Sequence, residues 1–178
     1  MVETTKPMSS FSFKLMKLMF KFRDLFNPRL DVLKEAGIER GFTVLDFGCG
    51  PGGYIMPLAD LVGPSGKIYA LDIHPLAVQG VKDMAARKGI ENIETIESDC
   101  GTGLSDNRVD TVLLYDVFHD LACPQDVLQE LNRVLKPAGT LSFSDHHLKE
   151  DQVLSRLTGS GMFRFLGKGR KTYTFVNV

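Results

Sequence analysis

The stretch Val44-Leu45-Asp46-Phe47-Gly48-Cys49-Gly50-Pro51-Gly52-Gly53 decides the fold. Its first residues complete a short apolar strand, Thr43–Phe47, and its glycines fall where that strand ends and a helix begins. Glycine has no Cβ and adopts positive φ at little cost, so the backbone can turn sharply here and come close to a ligand. Gly48, Gly50 and Gly53 satisfy the GxGxxG spacing of dinucleotide-binding turns, and Asp72 follows at the end of the next strand, 19 residues after Gly53. Asp46 points elsewhere. A carboxylate inside the turn would repel a pyrophosphate but would favour a ligand that places cationic groups there.

Outward from the turn, strands and helices alternate. A helix is predicted over Tyr54–Val62, a strand over Lys67–Leu71, a helix over Pro75–Arg87 and a strand over Asn92–Ile96. A polar loop from Cys100 to Asn107 leads to the run VDTVLLYDV, a helix over Pro124–Leu135 and, after KPAG, a strand over Thr140–Ser144. Repeated βα units mean a parallel sheet. The tail breaks the pattern. Glu150–Leu157 reads as a helix, and Met162–Leu166 and Lys171–Val176 read as strands joined by a Gly-Lys-Gly turn, an antiparallel hairpin that closes the sheet. The fold class is therefore α/β, a mostly parallel seven-stranded sheet with helices on both faces.

Upstream, apolar residues at Phe11, Leu15, Leu18, Met19, Phe22, Leu25 and Phe26 have helical spacing, and Phe13, Met16 and Phe20 widen that face. Lys14, Lys17 and Lys21 form a narrow basic edge. Asn27-Pro28 ends this helix, and a second short one is expected over Arg29–Glu35, stopped by Gly37. Two segments follow: 1–40, an N-terminal helical lid over the acceptor, and 41–178, the ligand-binding domain. Packing on the sheet, a dimer contact or a membrane-surface anchor would also cover the apolar face; oligomeric state stays open.

The 178 residues suffice for one sizeable core, and 43% hydrophobic with 24% charged residues excludes disorder and fibrous repeats. A net charge of −1 gives no reason to expect nucleic acid as a partner. No run has the length of a membrane span, no signal peptide is legible, and Cys49, Cys100 and Cys123 lack CxxC spacing; a cytoplasmic protein is expected.

VLDFGCGPGG resembles the first motif of class I S-adenosylmethionine-dependent methyltransferases, and YALDIHP their second acidic strand end. The likeness runs roughly from Thr43 to Val178 and implies a Rossmann-like three-layer sandwich with S-adenosylmethionine as cofactor. It implies a donor site built from Asp46, Gly48, Cys49, Gly50 and Gly52 of the turn. Asp72 would take both ribose hydroxyls, Ile73 would flank the adenine, and Asp99, with Cys100 beside it, would accept from the adenine amino group. Tyr115 and Asp116 would line the methionine end. A non-catalytic Rossmann-like binding protein and an NAD-dependent oxidoreductase are the alternatives; the acidic strand ends argue against NAD and against a turn that has lost its ligand.

Methyl transfer from an activated donor asks the protein mainly to position an acceptor and remove its proton. His119, just past the fourth strand on the edge where parallel sheets bind ligands, is the candidate general base. His119-Asp120-Leu121 is similar to the His-Asp-Trp stretch of small-molecule O-methyltransferases, with Leu121 in place of tryptophan. His146 or His147 would face the acceptor pocket. Because neighbours at a strand end point to opposite sides, these two histidines are not expected to share an ion with Asp145, and no metal is assigned. A three-thiol site is disfavoured because Cys49 and Cys100 have places in the turn and beside the adenine. His74, at a helix start, is expected to be exposed. The acceptor is a small apolar or amphipathic molecule that the sequence does not name.

Overall fold

The computed structural model describes Ser9 and residues 29–178. The wide apolar helix expected over Ser10–Phe26, and with it the lid, lies outside the described residues. The remaining elements run α1 (Arg29–Glu35), β1 (Thr43–Phe47), α2 (Ile55–Val62), β2 (Lys67–Asp72), α3 (Pro75–Lys88), β3 (Ile93–Glu97), β4 (Val109–Tyr115), α4 (Pro124–Val134), β5 (Leu135–Ser144), α5 (Glu150–Thr158), β6 (Phe163–Lys168) and β7 (Tyr173–Asn177). A short 3₁₀ turn, Phe118–Asp120, follows β4.

Seven strands form one sheet in the order β3-β2-β1-β4-β5-β7-β6. β1 to β5 are parallel, and β7 slips between β5 and β6, antiparallel to both. Chain order reverses between β1 and β4, and at such a switch point the loops beyond the carboxyl ends of the strands part to leave a crevice. The strand ends after β1, β2, β4 and β5 therefore frame that crevice.

Alternation along the central strands feeds two cores. Leu45, Phe47, Val112 and Leu114 face α4 and α5, joined there by Val127, Leu128, Leu131, Val153 and Leu157. Val44, Ile68, Ala70, Leu113 and Tyr115 face the other way, onto Val32 and Leu33 of α1, Ile55 and Leu58 of α2 and Val81 of α3. Burying two such faces is the dominant favourable term in the fold. Glu35 at the end of α1 ties that helix to the last loop: its Oε2 accepts from the amides of Lys171 and Thr172 and from the Thr172 hydroxyl at 2.9–3.0 Å.

Most element ends shift by a residue or two from the sequence reading, and two larger differences have a structural cause. β5 begins at Leu135, because Leu135 pairs with Val109 and a bulge then resets the register at Thr111↔Thr140. In the hairpin, Gly167 lies within β6 at a register shift, and the turn comes later, closed by the Gly169 amide on the Thr172 carbonyl at 2.8 Å. Among the described residues no helix is long and apolar enough to cross a membrane.

Candidate active site

The chain leaves β1 in a turn held against β2, with the Gly48 and Cys49 amides both donating to the Leu71 carbonyl, at 2.8 and 2.9 Å. Gly48 has φ +81°, and a Cβ there would stand 2.8 Å from Val117 Cγ2, so only glycine fits between the turn and the β4 loop. Gly50, at φ +52°, is the reverse case: nothing lies within 4 Å of where its Cβ would be. Its amide donates to Asp72 Oδ2 at 2.8 Å, and Asp72 Oδ1 accepts from the His74 amide at the same distance. One carboxylate thus fixes both the glycine turn and the chain leaving β2. Burial raises the Asp72 carboxyl above its ordinary range, against the His74 and Gly50 amides and the charge of His74.

Asp46 lies beneath the turn, 2% exposed. Its Oδ2 has no hydrogen-bond partner among the described residues. Burial pushes its carboxyl up to about 7, against the pull of Arg29 and with help from Asp72. Cys49 is buried nearby, and burial with the charges of Asp46 and Asp72 keeps its thiol protonated. Gly52, at φ +79°, is buried under Val81 and Met84. Ile73 and Asp99 are half-buried past β2 and β3. Cys100 packs on the α4 and α5 core, whereas Cys49 belongs to the opposite one, so the thiols serve different faces of the sheet. Burial, with nearby Asp126, Asp99, Glu130 and Cys123, raises the Cys100 thiol as well.

His74 corrects an expectation: it is 5% exposed, not solvent-facing. It is the N-cap of α3, and its Nδ1 accepts from the Leu76 amide at 3.1 Å, which folds the ring back over the first turn.

Beyond β4 and β5 the polar groups are bonded to one another. Asp145, 7% exposed, accepts from the amides of His119 and His147 at 3.1 and 3.0 Å and lies 2.9 Å from His119 Nδ1. Burial would raise its carboxyl, but these bonds and the charge of His119 outweigh that and hold it below the ordinary range. His119 Nε2 is left 3.4 Å from Asp120 Oδ2. Asp116, at φ +52°, turns its carboxylate to His146, with Oδ1 2.8 Å from His146 Nδ1. Tyr115 points down into the α1 and α2 core, its hydroxyl 2.7 Å from Ser142 Oγ and its ring edge-on to Tyr54.

The expectation that His146 and His147 point apart fails. Strand alternation stops at Ser144, and in the turn that follows the two rings lie 4.0 Å apart, with His147 also 4.0 Å from His119. Asp116, Asp145 and His146 bring possible ligand atoms within 4.8 Å of one another. Two residues of this region went unassigned in the sequence: Asp145 as partner of His119, and Arg29, whose guanidinium lies on Gly53 and the Tyr54 ring. Asp145 carried a signal, an acidic residue at a strand's carboxyl end like Asp72. Two open surface grooves, lined by residues such as Arg40 and Asn92 or Glu35 and Lys136, sit at the opposite, amino edge of the sheet and contain none of these groups. Strand order and chemistry make the carboxyl edge the candidate site.

Sheet order, glycine turn and acidic strand ends define a Rossmann-like α/β domain of the methyltransferase type. A family model described as "Methyltransferase domain" matches residues 38–163, and the chain belongs to that family. It is 29% identical over 125 residues to the demethylmenaquinone methyltransferase of Geobacillus stearothermophilus, covering 70% of this chain and 53% of that protein. A ubiquinone/menaquinone biosynthesis C-methyltransferase of Ectopseudomonas mendocina is 26% identical, over 80% of this chain and 56% of its own length. The chain thus spans about half the length of these relatives. A crystal structure of a SAM dependent methyltransferase from Aquifex aeolicus superposes with a TM-score of 0.73 at 29% identity, covering 88% of this chain and 96% of that one.

Proposed function

We propose that the chain transfers a methyl group from S-adenosylmethionine to a small apolar or amphipathic acceptor. One observation carries the choice of donor: Asp46, a buried carboxyl with an oxygen that has no hydrogen-bond partner among the described residues, sits under a glycine turn where no described atom lies within 4 Å of a Gly50 Cβ. A cationic ligand answers that carboxylate, whereas a pyrophosphate would be repelled. The donor, when bound, supplies a methyl group on a cationic sulfur. Asp46, Gly48, Cys49, Gly50 and Gly52 would form its cradle, Asp72 would accept from the ribose hydroxyls, and Ile73, Asp99 and Cys100 would surround the adenine. Asp116 and the backbone at Tyr115 would line the methionine end.

On the acceptor side, His119 acts as general base. Asp145 accepts the Nδ1 proton and so leaves Nε2 as the nitrogen that takes a proton from the acceptor. The acceptor loses that proton and gains the methyl group. His146 and His147 flank His119 where the acceptor would enter. The relatives named for quinone biosynthesis make a demethylated quinol the first acceptor to try. Label from methyl-labelled donor should move to the acceptor on mixing; binding of donor without transfer to any of a panel of quinols, phenols and amines would refute the enzyme reading.

In this reading the apolar residues between Phe11 and Phe26 would supply a lid over the acceptor, while α1 of the 1–40 segment packs in the core. Removing Met1 to Phe26 should raise the acceptor's KM several-fold, about 5 to 10 times, with donor affinity kept. An unfolded product would assign the segment to the core instead.

A further inference from the structure

Between β3 and β4 the chain crosses the sheet without a helix. Residues 98–108 hold neither helix nor strand, and nothing lies within 4 Å of where a Cβ on Gly101 or Gly103 would stand. Parallel strands are ordinarily joined through a helix that packs on the sheet, so this connection must be held in some other way. α4 holds it through one ion pair. Glu130, its side chain 14% exposed, accepts from Arg133 twice, from Nε on Oε2 and from Nη2 on Oε1, both at 2.8 Å. The same Oε1 accepts from the amide and the hydroxyl of buried Thr102, at 2.7 and 2.6 Å. Arg133 also donates to the Leu104 carbonyl at 2.8 Å and to the Asp106 carboxylate. The bonds from Arg133, with those from Thr102, outweigh partial burial and hold the Glu130 carboxyl down to about 2, so the anchor keeps its charge. At the other end of the span, the Ser98 amide donates to the Asp72 carbonyl at 3.1 Å. Asp99, Cys100 and Gly101 are strung between these two fixed points.

We infer that Glu130, braced by Arg133, is a positioning residue that sets which nucleobase the site takes, by holding Asp99 in one place through Thr102. This role rests on the donor reading above, with Asp99 toward the base, and goes beyond it by giving nucleobase selection to α4, a helix with no assigned contact to the donor. An ionised carboxylate only accepts hydrogen bonds, so a fixed Asp99 suits an exocyclic amino group and opposes a carbonyl oxygen in the same position. That opposition lasts only while the carboxylate cannot swing aside, and a glycine in so short a span gives it freedom to swing once the Thr102 end is released. If Glu130 served only the stability of the loop, its loss would weaken ligands with either base alike.

Two ligands separate these cases: S-adenosylhomocysteine, and S-inosylhomocysteine, in which a carbonyl oxygen replaces the amino group of the base. By calorimetry on the full chain, the wild type should bind the adenosyl compound about 30-fold or more tightly. Glu130→Ala should cut that ratio to about threefold or less, with Glu130→Gln, which keeps an acceptor for Thr102, in between. Asp99→Ala should lose the ratio too, and adding Glu130→Ala to it should lower the ratio no further, because Glu130 acts through Asp99. Should Glu130→Ala fail to fold by circular dichroism, Thr102→Val decides: it keeps the ion pair and loses only the hydroxyl bond, and the ratio should fall about threefold. An unchanged ratio in the folded variants overturns the role of Glu130 while the donor reading stands. A wild type without preference overturns it together with the placing of the base at Asp99, and a wild type that binds neither compound overturns the donor reading as well.

Discussion

At the ends of β4 and β5, Asp145 takes hydrogen bonds from two amides and an imidazole, and Asp116 bonds His146. At the ends of β1 and β2, Asp46, 2% exposed, keeps an oxygen with no hydrogen-bond partner among the described residues, and no described atom lies within 4 Å of where a Gly50 Cβ would be. The first region is complete as it stands, a frame that holds one imidazole in one orientation. In the second, no described residue hydrogen-bonds that Asp46 oxygen and Arg29 offsets its burial only in part, a cost in stability that a cationic ligand would relieve. Binding and turnover should therefore separate along the sheet edge, with substitutions near β1 and β2 acting on donor affinity and those near β4 and β5 on rate.

The most severe test of that division is Gly50→Val. A branched side chain would fill the open space and strain a φ of +52°, so donor affinity should fall more than about 100-fold in a folded protein. Calorimetry with circular dichroism checks both halves, and normal donor binding would remove the turn from the site.

On the other side, His119→Ala should lower kcat by about 100-fold with donor Kd unchanged. Asp145→Asn should follow it in direction, by about tenfold, because Asp145 acts through the orientation of His119. If donor affinity falls along with rate in either variant, the two regions are not separable as described.

Asp72→Ala is expected to weaken donor binding by about 1 to 3 kcal/mol with kcat at saturation nearly kept. Asp72 also holds the Gly50 and His74 amides, so some of this loss is loosening of the turn. An unchanged Kd would break the assignment of the ribose to this carboxylate.

The smallest effect concerns stability without donor. Burial pushes Asp46 up to about 7, so the folded chain keeps a proton that the unfolded chain releases at its ordinary, lower value. Stability is then lost as pH rises from about 4 through 7. Asp46→Asn should flatten that slope by roughly 2 kcal/mol or less between pH 5 and pH 8, measured by denaturant unfolding. An unaltered slope would mean that Asp46 is ionised at neutral pH in the folded chain.

Much of this organisation is legible in the sequence where the signals are local. α1 and β1 have the bounds read from apolar runs and the Gly37 stop, because burial and glycine punctuation act over a few residues. The start of β5 was not, since its first pairing, Leu135 with Val109, reaches across the sheet. The placement of Asp72 and His119 at the carboxyl ends of β2 and β4 follows from the order of strands in the sequence. The stacking of His146 on His147 does not, because the chain has left the strand and alternation no longer applies. Arg29 was invisible for a further reason: its place on Gly53 depends on how α1 packs against α2, which no spacing in the sequence records.

On the proposed function, the β1 turn holds a cationic methyl donor and not a dinucleotide. Calorimetric titration of the full chain with S-adenosylmethionine and, separately, with NAD tests it directly. Saturable binding of S-adenosylmethionine, lost in Gly50→Val, with no heat from NAD is the predicted result; saturable binding of NAD with none of S-adenosylmethionine would contradict it.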